Sequence, residues 1–452
     1  MEGPGRYRRA FDWRLNRDDV DDTATAASAF AALFSSEMPE FLEDYLQTSR
    51  NRRNNRLALA RLQAHLVDEL ITVEATIKHY RDKRAELEQL ERDGKDESQG
   101  AIKKDLKLVR GELFLWRAFA NVIRSIADGV AWRALGFDRA VLRALCQNRG
   151  SQQITSPGTP EELREWSLQF DRGSGIAILN SLTNWLTYGD VTVVRNDGAV
   201  EVIEVKSSNT TSSRVVRQKR RMSELVTFLS AGKGNLEGKT VEVCTLDIVP
   251  ENGLDVLRGL LHQTSSPPGY ATARLSNSAY VECVDFRVLA KGWDTDLLKQ
   301  RESLIADWHE RNDDVHAGES LKCLGFSPNL APFSVFPFEP RLCIDLLTGA
   351  KAYMVLLNCT AVAREFEHRG WQVVTTPKQA FESNEFADDF MTVKKEGFNI
   401  TLPPAAFMRM QMELLRPQVF IRQCELIKRA GPNAFNSEFN LPVYEHEAQI
   451  WD

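Results

Sequence analysis

The sequence predicts an α+β protein of several domains: a long N-terminal helical hairpin, a central α/β core and a C-terminal α+β domain. Three observations carry that reading. The chain has 452 residues, roughly three times an ordinary domain, so several cores can form. From Leu57 onward, apolar residues recur at spacings of three and four, the period of an amphipathic helix. After S-P-G-T-P at 156–160 the period switches to helix, hairpin, helix and strands.

Residues 1–54 read as a polar segment rich in Arg and Asp, with one short helical stretch near A-A-S-A-F-A-A-L-F. Residues 55–155 hold the helical, coiled-coil-like hairpin. Leu59, Leu62, Leu66, Leu70, Val73, Ile77, Tyr80 and Leu87 make a seam, D-G-K-D-E-S-Q-G breaks it, and a second helix follows from Ala101 toward Asp128. So short a connection makes the two helices antiparallel neighbours. G-V-A-W-R-A-L-G-F-D-R-A-V-L-R-A-L-C then reads as a further helical pair. Residues 156–290 form the central core and 291–452 the C-terminal domain, where Y-M-V-L-L, T-A-V-A-R-E-F-E-H-R and W-Q-V-V-T make a strand–helix–strand unit ahead of a helical pair divided by Pro417.

Composition narrows the function classes. Apolar residues at 43% and charged residues at 27% exclude a disordered or fibrous chain. A net charge of −6 excludes a surface coated in basic groups, so any nucleic-acid site must be a concentrated patch. The opening M-E-G-P-G-R-Y-R-R-A-F lacks the apolar core of a secretory leader. The longest apolar stretch, Phe114 to Trp132, is interrupted by Arg117, Arg124 and Asp128, so no membrane partner is expected. Cys146, Cys244, Cys283, Cys323, Cys343, Cys359 and Cys424 form no C-x-x-C pair and have no local His partner, as expected of reduced core thiols in a cytoplasmic protein.

The informative stretch is Y-G-D-V-T-V-V-R-N-D-G-A-V-E-V-I-E-V-K-S-S, residues 188–208. Asp197-Gly198 between two β-branched runs is a tight-turn signal, which places strands at about 190–195 and 199–207. Alternation puts Val200, Val202, Glu204 and Lys206 on one face, and Asp190 opens the partner strand at the same end. Three charges thus converge where an unpaired carboxylate would be costly. A divalent metal offsets that cost: two carboxylates with a main-chain carbonyl and waters suit Mg²⁺, and a neighbouring lysine can orient or deprotonate a water. These are the needs of phosphodiester hydrolysis.

The flanks are expected to be helices. Ile178, Leu179, Leu182, Trp185 and Leu186 read as the apolar face of a helix that stops at Gly189. After a Ser/Thr loop, residues 214–230 read as a second helix with a seam of Val215, Met222, Val226 and Leu229, on which the polar Gln218 also falls. Arg214, Arg217, Lys219, Arg220 and Arg221 make it the basic patch expected to hold a nucleic-acid backbone.

On Asp190, Glu204-Val205-Lys206 and Gln218, the segment 160–290 resembles the PD-(D/E)xK superfamily of restriction endonuclease-like enzymes. Its core is a helix, a hairpin carrying the acid and the E-x-K tripeptide, another helix and further strands; V-E-V-C-T-L-D-I-V at 241–249 would be the next member of the sheet. The resemblance implies that Asp190, Glu204 and the Val205 carbonyl hold Mg²⁺ or Mn²⁺, that Lys206 assists the attacking water, and that Gln218 with Arg217 and Arg221 orients phosphates. It also implies a role in bacterial defence or DNA processing; the expected substrate is nucleic acid, DNA ahead of RNA with the choice between them open, and a separate activator or sensor protein is a further candidate partner. A homodimer through the helical hairpin is expected. Two departures stand out: Gly189 takes the place of the family's proline, and no acidic residue lies between Ser174 and Tyr188, with Glu165 a weak upstream substitute.

Two rival readings remain open at this stage. A nuclease fold without activity would make the chain a binding or scaffold protein. R-N-D-D-V-H at 311–316 matches the R-x4-H pattern of the HEPN ribonucleases, all-helical bundles that cleave RNA without a metal, through Arg311 and His316 here. Neither a P-loop nor G-x-S-x-G occurs, so no ATPase motor or serine hydrolase is expected.

Overall fold

A computed structural model describes residues 38–51, 56–93, 99–146, 154, 159–173, 175–205, 213–236, 238–289, 303, 306–320, 330–375, 391–431 and 439–451. The fold is mixed α and β, with small sheets. It divides into two compact units, one of Phe34–Lys239 with Pro332–Val335, the other of Thr240–Ala331 with Phe336–Asp452.

In the first unit, α1 (Met38–Asn51) leads to α2 (Arg56–Asp93) and α3 (Gln99–Ala134), which pack along each other as the expected hairpin. The seam forms as the spacing requires: Leu59, Leu62, Leu66, Leu70, Val73 and Ile77 are buried against the face of α3 that carries Leu106, Val109, Leu113, Val122, Ile123 and Ile126. Burying each such side chain contributes roughly 1.5–3 kcal/mol, which holds together helices whose outer faces are charged. Next come α4 (Arg139–Ala144), capped by Asp138, then α5 (Thr159–Arg172). Three antiparallel strands follow, β1 (Gly175–Leu179), β2 (Val191–Arg195) and β3 (Val200–Ile203), and then α6 (Ser213–Ala231) with β4 (Lys233–Leu236) against it.

The charges that interrupt the apolar stretch of α3 hold this sheet. Arg124 pairs with Glu74 of α2 at 2.8 Å and donates to the Ser181 carbonyl at 2.6 Å. Asp128 accepts from the Asn184 amide nitrogen at 2.8 Å and from its side chain at 2.7 Å. Gln63 of α2 donates to the Ala177 carbonyl at 2.9 Å and accepts from the Leu179 amide at 3.2 Å. The hairpin therefore braces β1 and the segment that follows it.

The second unit contains β5 (Lys239–Leu246), α7 (Leu254–Gln263), β6 (Tyr270–Arg274), β7 (Ala279–Asp285), β8 (Val315–Glu319), α8 (Pro340–Thr348), β9 (Lys351–Asn358), α9 (Cys359–His368), β10 (Gln372–Thr375), β11 (Met391–Lys395), β12 (Phe398–Leu402), α10 (Pro404–Met412), α11 (Pro417–Ala430) and β13 (Phe439–Tyr444). One sheet has the order β6-β7-β9-β8, a second β10-β11-β12, and β13 runs parallel to β5. The expected strand–helix–strand unit is β9-α9-β10, although its two strands join different sheets. Lys351 is a buried ion held by partners: 1% exposed, it reaches Asp285 at 2.9 Å, the Leu261 carbonyl at 2.8 Å and Thr264 at 2.9 Å.

The expected domain boundaries need correction. β7 pairs with β9 from Ala279↔Leu357 to Asp285↔Lys351, so one sheet straddles the boundary placed at 290. The hairpin and the strands after residue 160 share one unit, so the boundary at 155 is not a division between units either. Local turn signals such as S-P-G-T-P mark the ends of elements, whereas strand pairing decides which elements share a core. Residues 1–37 lie outside the described residues. Among the described residues no helix is long and apolar enough to cross a membrane. The described cysteines, all but Cys323, are free thiols.

Candidate active site

The site is built at one end of the β2–β3 hairpin. Gly198 at φ 85° closes the turn at the other end, with Arg195 and Ala199 hydrogen-bonded across it at 2.8 Å and Asp197 accepting from the Ala199 amide at 3.0 Å. The register runs from Val194↔Val200 to Val191↔Ile203, and one further step sets Asp190 opposite Glu204. The Asp190 amide donates to the Ile203 carbonyl at 2.8 Å, and the Val205 amide donates to the Asp190 carboxylate at 2.6 Å. Asp190 and the Glu204-Val205 segment are thereby fixed side by side, 14 positions apart in sequence. β3 ends at Ile203, short of the expected 207, so Glu204 and Val205 leave the strand directly at the site. Both are half-buried.

Asn180 locks the approach to Asp190. Its side chain donates to the Tyr188 carbonyl at 2.7 Å and accepts from Thr192 at 2.9 Å, while its amide donates to the Asp190 carbonyl at 2.9 Å. Gly189 stands at φ 67°, where a Cβ would lie 2.6 Å from Val202 and 2.8 Å from the Ile203 carbonyl. Proline, fixed near φ −65°, could not adopt this backbone. The glycine at 189 thus follows from how the chain enters β2.

The helix expected over 178–188 is absent. Residues 175–179 are β1, paired with β2 from Gly175↔Arg195 to Leu179↔Val191, and Asn180–Leu182 form a single 3₁₀ turn. The alternation in G-I-A-I-L beside a β-branched partner strand prevails over the three-and-four spacing read across it. The helix preceding the hairpin's own sheet is α5, which packs on β1 and β2. It brings the acidic residue that the sequence reading missed. Glu162, on the buried side of α5, has its Oε2 buried with no hydrogen-bond partner. Burial, then the charge of Asp190, pushes its carboxyl above the usual range. Burial likewise raises Asp190, against the opposing effect of the Val205 amide. Glu165, the upstream substitute, accepts from Gln169 at 2.6 Å one turn further along the helix. The signal for Glu162 was present as a capping acid just after T-P at 159–160, legible only once α5 was known to cross the strand that carries Asp190.

Other expected site residues fare unevenly. Lys206 lies outside the described residues, as do the side chains of Arg214, Arg217, Gln218 and Lys219. Arg220 is exposed and pairs with Glu224 at 3.1 Å, and Arg221 is half-buried. Among its described side chains the expected seam of α6 is rotated: Leu225 and Phe228 are buried, and Val226 is 47% exposed. The strand expected at 241–249 forms as β5, with β13 as its parallel neighbour, rather than within the β1-β2-β3 sheet. Arg311 sits on a turn and pairs with Asp307 and Asp313 at 3.1 Å each, while His316 is on β8. The all-helical setting required by the R-x4-H pattern is not found there.

Among the described residues, the groups of three ligand-type side chains with their atoms within 4.8 Å of one another are Asp314, His316 and Cys359, and Asp247, Glu445 and His446. Glu162, Asp190 and Glu204 do not form such a group. Their chemistry still fits a hard divalent cation: all are oxygen donors, one oxygen of Glu162 has no partner, and burial is the largest cause that raises the carboxyls of Glu162 and Asp190. The chain matches no protein-family model, no curated protein and no solved structure.

Proposed function

We propose that this chain is a metal-dependent endonuclease of the PD-(D/E)xK type, hydrolysing phosphodiester bonds of DNA. One observation carries the reading: on a three-stranded meander between two helices, Asp190 is bonded to the Ile203 carbonyl and the Val205 amide and so lies beside Glu204, near Glu162, one carboxylate oxygen of which is buried without a hydrogen-bond partner. In this reading Asp190, Glu204 and the Val205 carbonyl hold Mg²⁺ or Mn²⁺, with Glu162 as a further acid. The ion supplies Lewis-acid stabilisation of the phosphate and a more acidic water.

The protein's own groups do the rest. The Val205 amide fixes one Asp190 oxygen, so the carboxylate cannot swing away as the substrate binds. Lys206, next in line after Val205, orients or deprotonates the attacking water. The basic residues of α6 hold the backbone by charge, a term that weakens as salt rises. A role in bacterial defence or DNA processing, under a separate activator, rests on the family resemblance alone. The test is cleavage of supercoiled plasmid by purified protein: the proposal expects nicking with Mg²⁺ or Mn²⁺ and none with EDTA. DNA binding without turnover in any of these metals would favour the scaffold reading instead.

A further inference from the structure

The segment R-N-D-D-V-H has a second geometry that the nuclease reading does not use. Asp314 stands immediately before β8, His316 is the second residue of that strand, and Cys359 is the first residue of α9, directly after β9. The antiparallel pairs Val315↔Asn358 and His316↔Leu357 bring these three side chains to one place. His316 Nε2 lies 3.0 Å from Asp314 Oδ1, and the ligand atoms of all three residues fall within 4.8 Å of one another. The second oxygen, Asp314 Oδ2, is buried and has no hydrogen-bond partner. Cys359 is 1% exposed, and its thiol is 3.9 Å from the Leu357 carbonyl oxygen, a weak contact.

We infer that Asp314, His316 and Cys359 form a binding site for a zinc-class divalent transition ion, with the fourth tetrahedral position left to water. The donor set decides the class. Mg²⁺ and Ca²⁺ take oxygen, whereas one carboxylate oxygen, one imidazole nitrogen and one sulfur suit zinc. The three residues sit on a hydrogen-bonded frame. The Cys359 amide donates to the Asp314 carbonyl at 2.8 Å, the Asp314 amide to Thr360 Oγ1 at 2.8 Å, and Gln411 to the His316 carbonyl at 3.0 Å. Asn358 caps α9 through the Ala361 amide at 2.8 Å and donates to Asp313 at 2.9 Å. Arg311 and Arg364 direct their charge to that neighbouring Asp313, at 3.1 Å and 3.2 Å. Asp314 is left as the carboxylate facing the imidazole and the thiol. The side chains of His316 and Asp314 are 26% and 16% exposed, which gives an ion and its water a way in.

The test is metal content of the full-length protein, loaded with zinc and dialysed to constant background, with cobalt(II) as a spectroscopic probe. Wild type should retain about one zinc per chain, and cobalt should give a sulfur-to-metal charge-transfer band. Cys359→Ser should lose the band, and Asp314→Asn, a gentler change in case Cys359→Ser does not fold, should weaken zinc binding at least tenfold. Asp190→Asn should retain the zinc, which separates this site from the proposed nuclease centre. Zinc at buffer background in wild type would overturn the inference and leave an Asp–His ion pair beside a core thiol. Full retention in both Cys359→Ser and Asp314→Asn would overturn it equally.

Discussion

The Val205 backbone amide donates to the Asp190 carboxylate at 2.6 Å, tying the residue that opens β2 to the residues that leave β3. Because burial outweighs that bond and raises the Asp190 carboxyl, the ionised side chain costs the folded state free energy in the absence of a cation. Asp190→Asn keeps an acceptor for the amide and removes the charge. The expected outcome is an unchanged or slightly raised Tm without metal, loss of the Tm increase that Mn²⁺ gives the wild type, and cleavage reduced at least ~100-fold. Differential scanning fluorimetry with and without Mn²⁺, alongside a nicking assay, checks all three.

Glu162→Gln should behave in the same direction by a different route. Its buried Oε2 has no partner and its carboxyl is raised by burial and by Asp190. Neutralising it should raise the Tm of metal-free protein and weaken Mn²⁺ binding severalfold, read by titration calorimetry. Glu165→Gln, altering a carboxylate already held by Gln169, should leave Mn²⁺ binding unchanged.

The hairpin was legible in the sequence because its signals are local: Asp197-Gly198 requires a turn, and the alternation of Val191 to Arg195 and Val200 to Ile203 follows from a two-residue period. The helical pair was legible for the same reason, since Leu59 to Ile77 define a seam whatever packs on it. What was not legible depends on contacts distant in sequence. Ile178 and Leu179 fit both a helical and a strand pattern, and only pairing with β2 selects the strand. Glu162 is one acid among several on α5 until that helix is laid across β1 and β2. The rotation of the α6 seam onto Leu225 and Phe228 likewise depends on what the helix packs against.

Gly189→Ala tests the backbone entry to the site. At φ 67° an alanine is strained, and its Cβ would press on Val202 and the Ile203 carbonyl, the atom that accepts from the Asp190 amide. A loss of about 1–3 kcal/mol in stability is expected from urea unfolding, together with cleavage reduced beyond what the lost folded fraction explains.

Asp128 predicts a pH dependence. Burial lifts its carboxyl to about 7, against the bonds from Asn184 and the charge of Arg124. The folded state therefore holds a proton that the unfolded chain releases near the ordinary value of 3.8. The stability this contributes is complete below that ordinary value and is lost as pH rises through about 7. The Tm of wild type should accordingly fall relative to Asp128→Asn between about pH 4 and pH 8. Parallel Tm profiles for the two proteins would remove Asp128 as the cause.

Arg409 carries the ionic core of the second unit, meeting Glu413 at 2.7 Å and Glu447 at 2.7 Å and 3.0 Å. Arg409→Met removes the guanidinium that both buried carboxylates share and should cost ~3–5 kcal/mol in urea unfolding. Restoring neutrality with Glu413→Gln and Glu447→Gln in the same chain should recover part of that loss.

In the proposed function the charges at the open end of the β2–β3 hairpin form a hydrolytic site. Its most direct measurement is the rate of supercoiled-plasmid nicking in Mn²⁺ by wild type, Asp190→Asn and Lys206→Ala, with DNA binding measured on the same preparations. Wild type should nick the plasmid only with metal, and both variants should lose nicking while their DNA binding stays within about twofold. Nicking that persists in EDTA, or runs at equal rates in all three proteins, would contradict it.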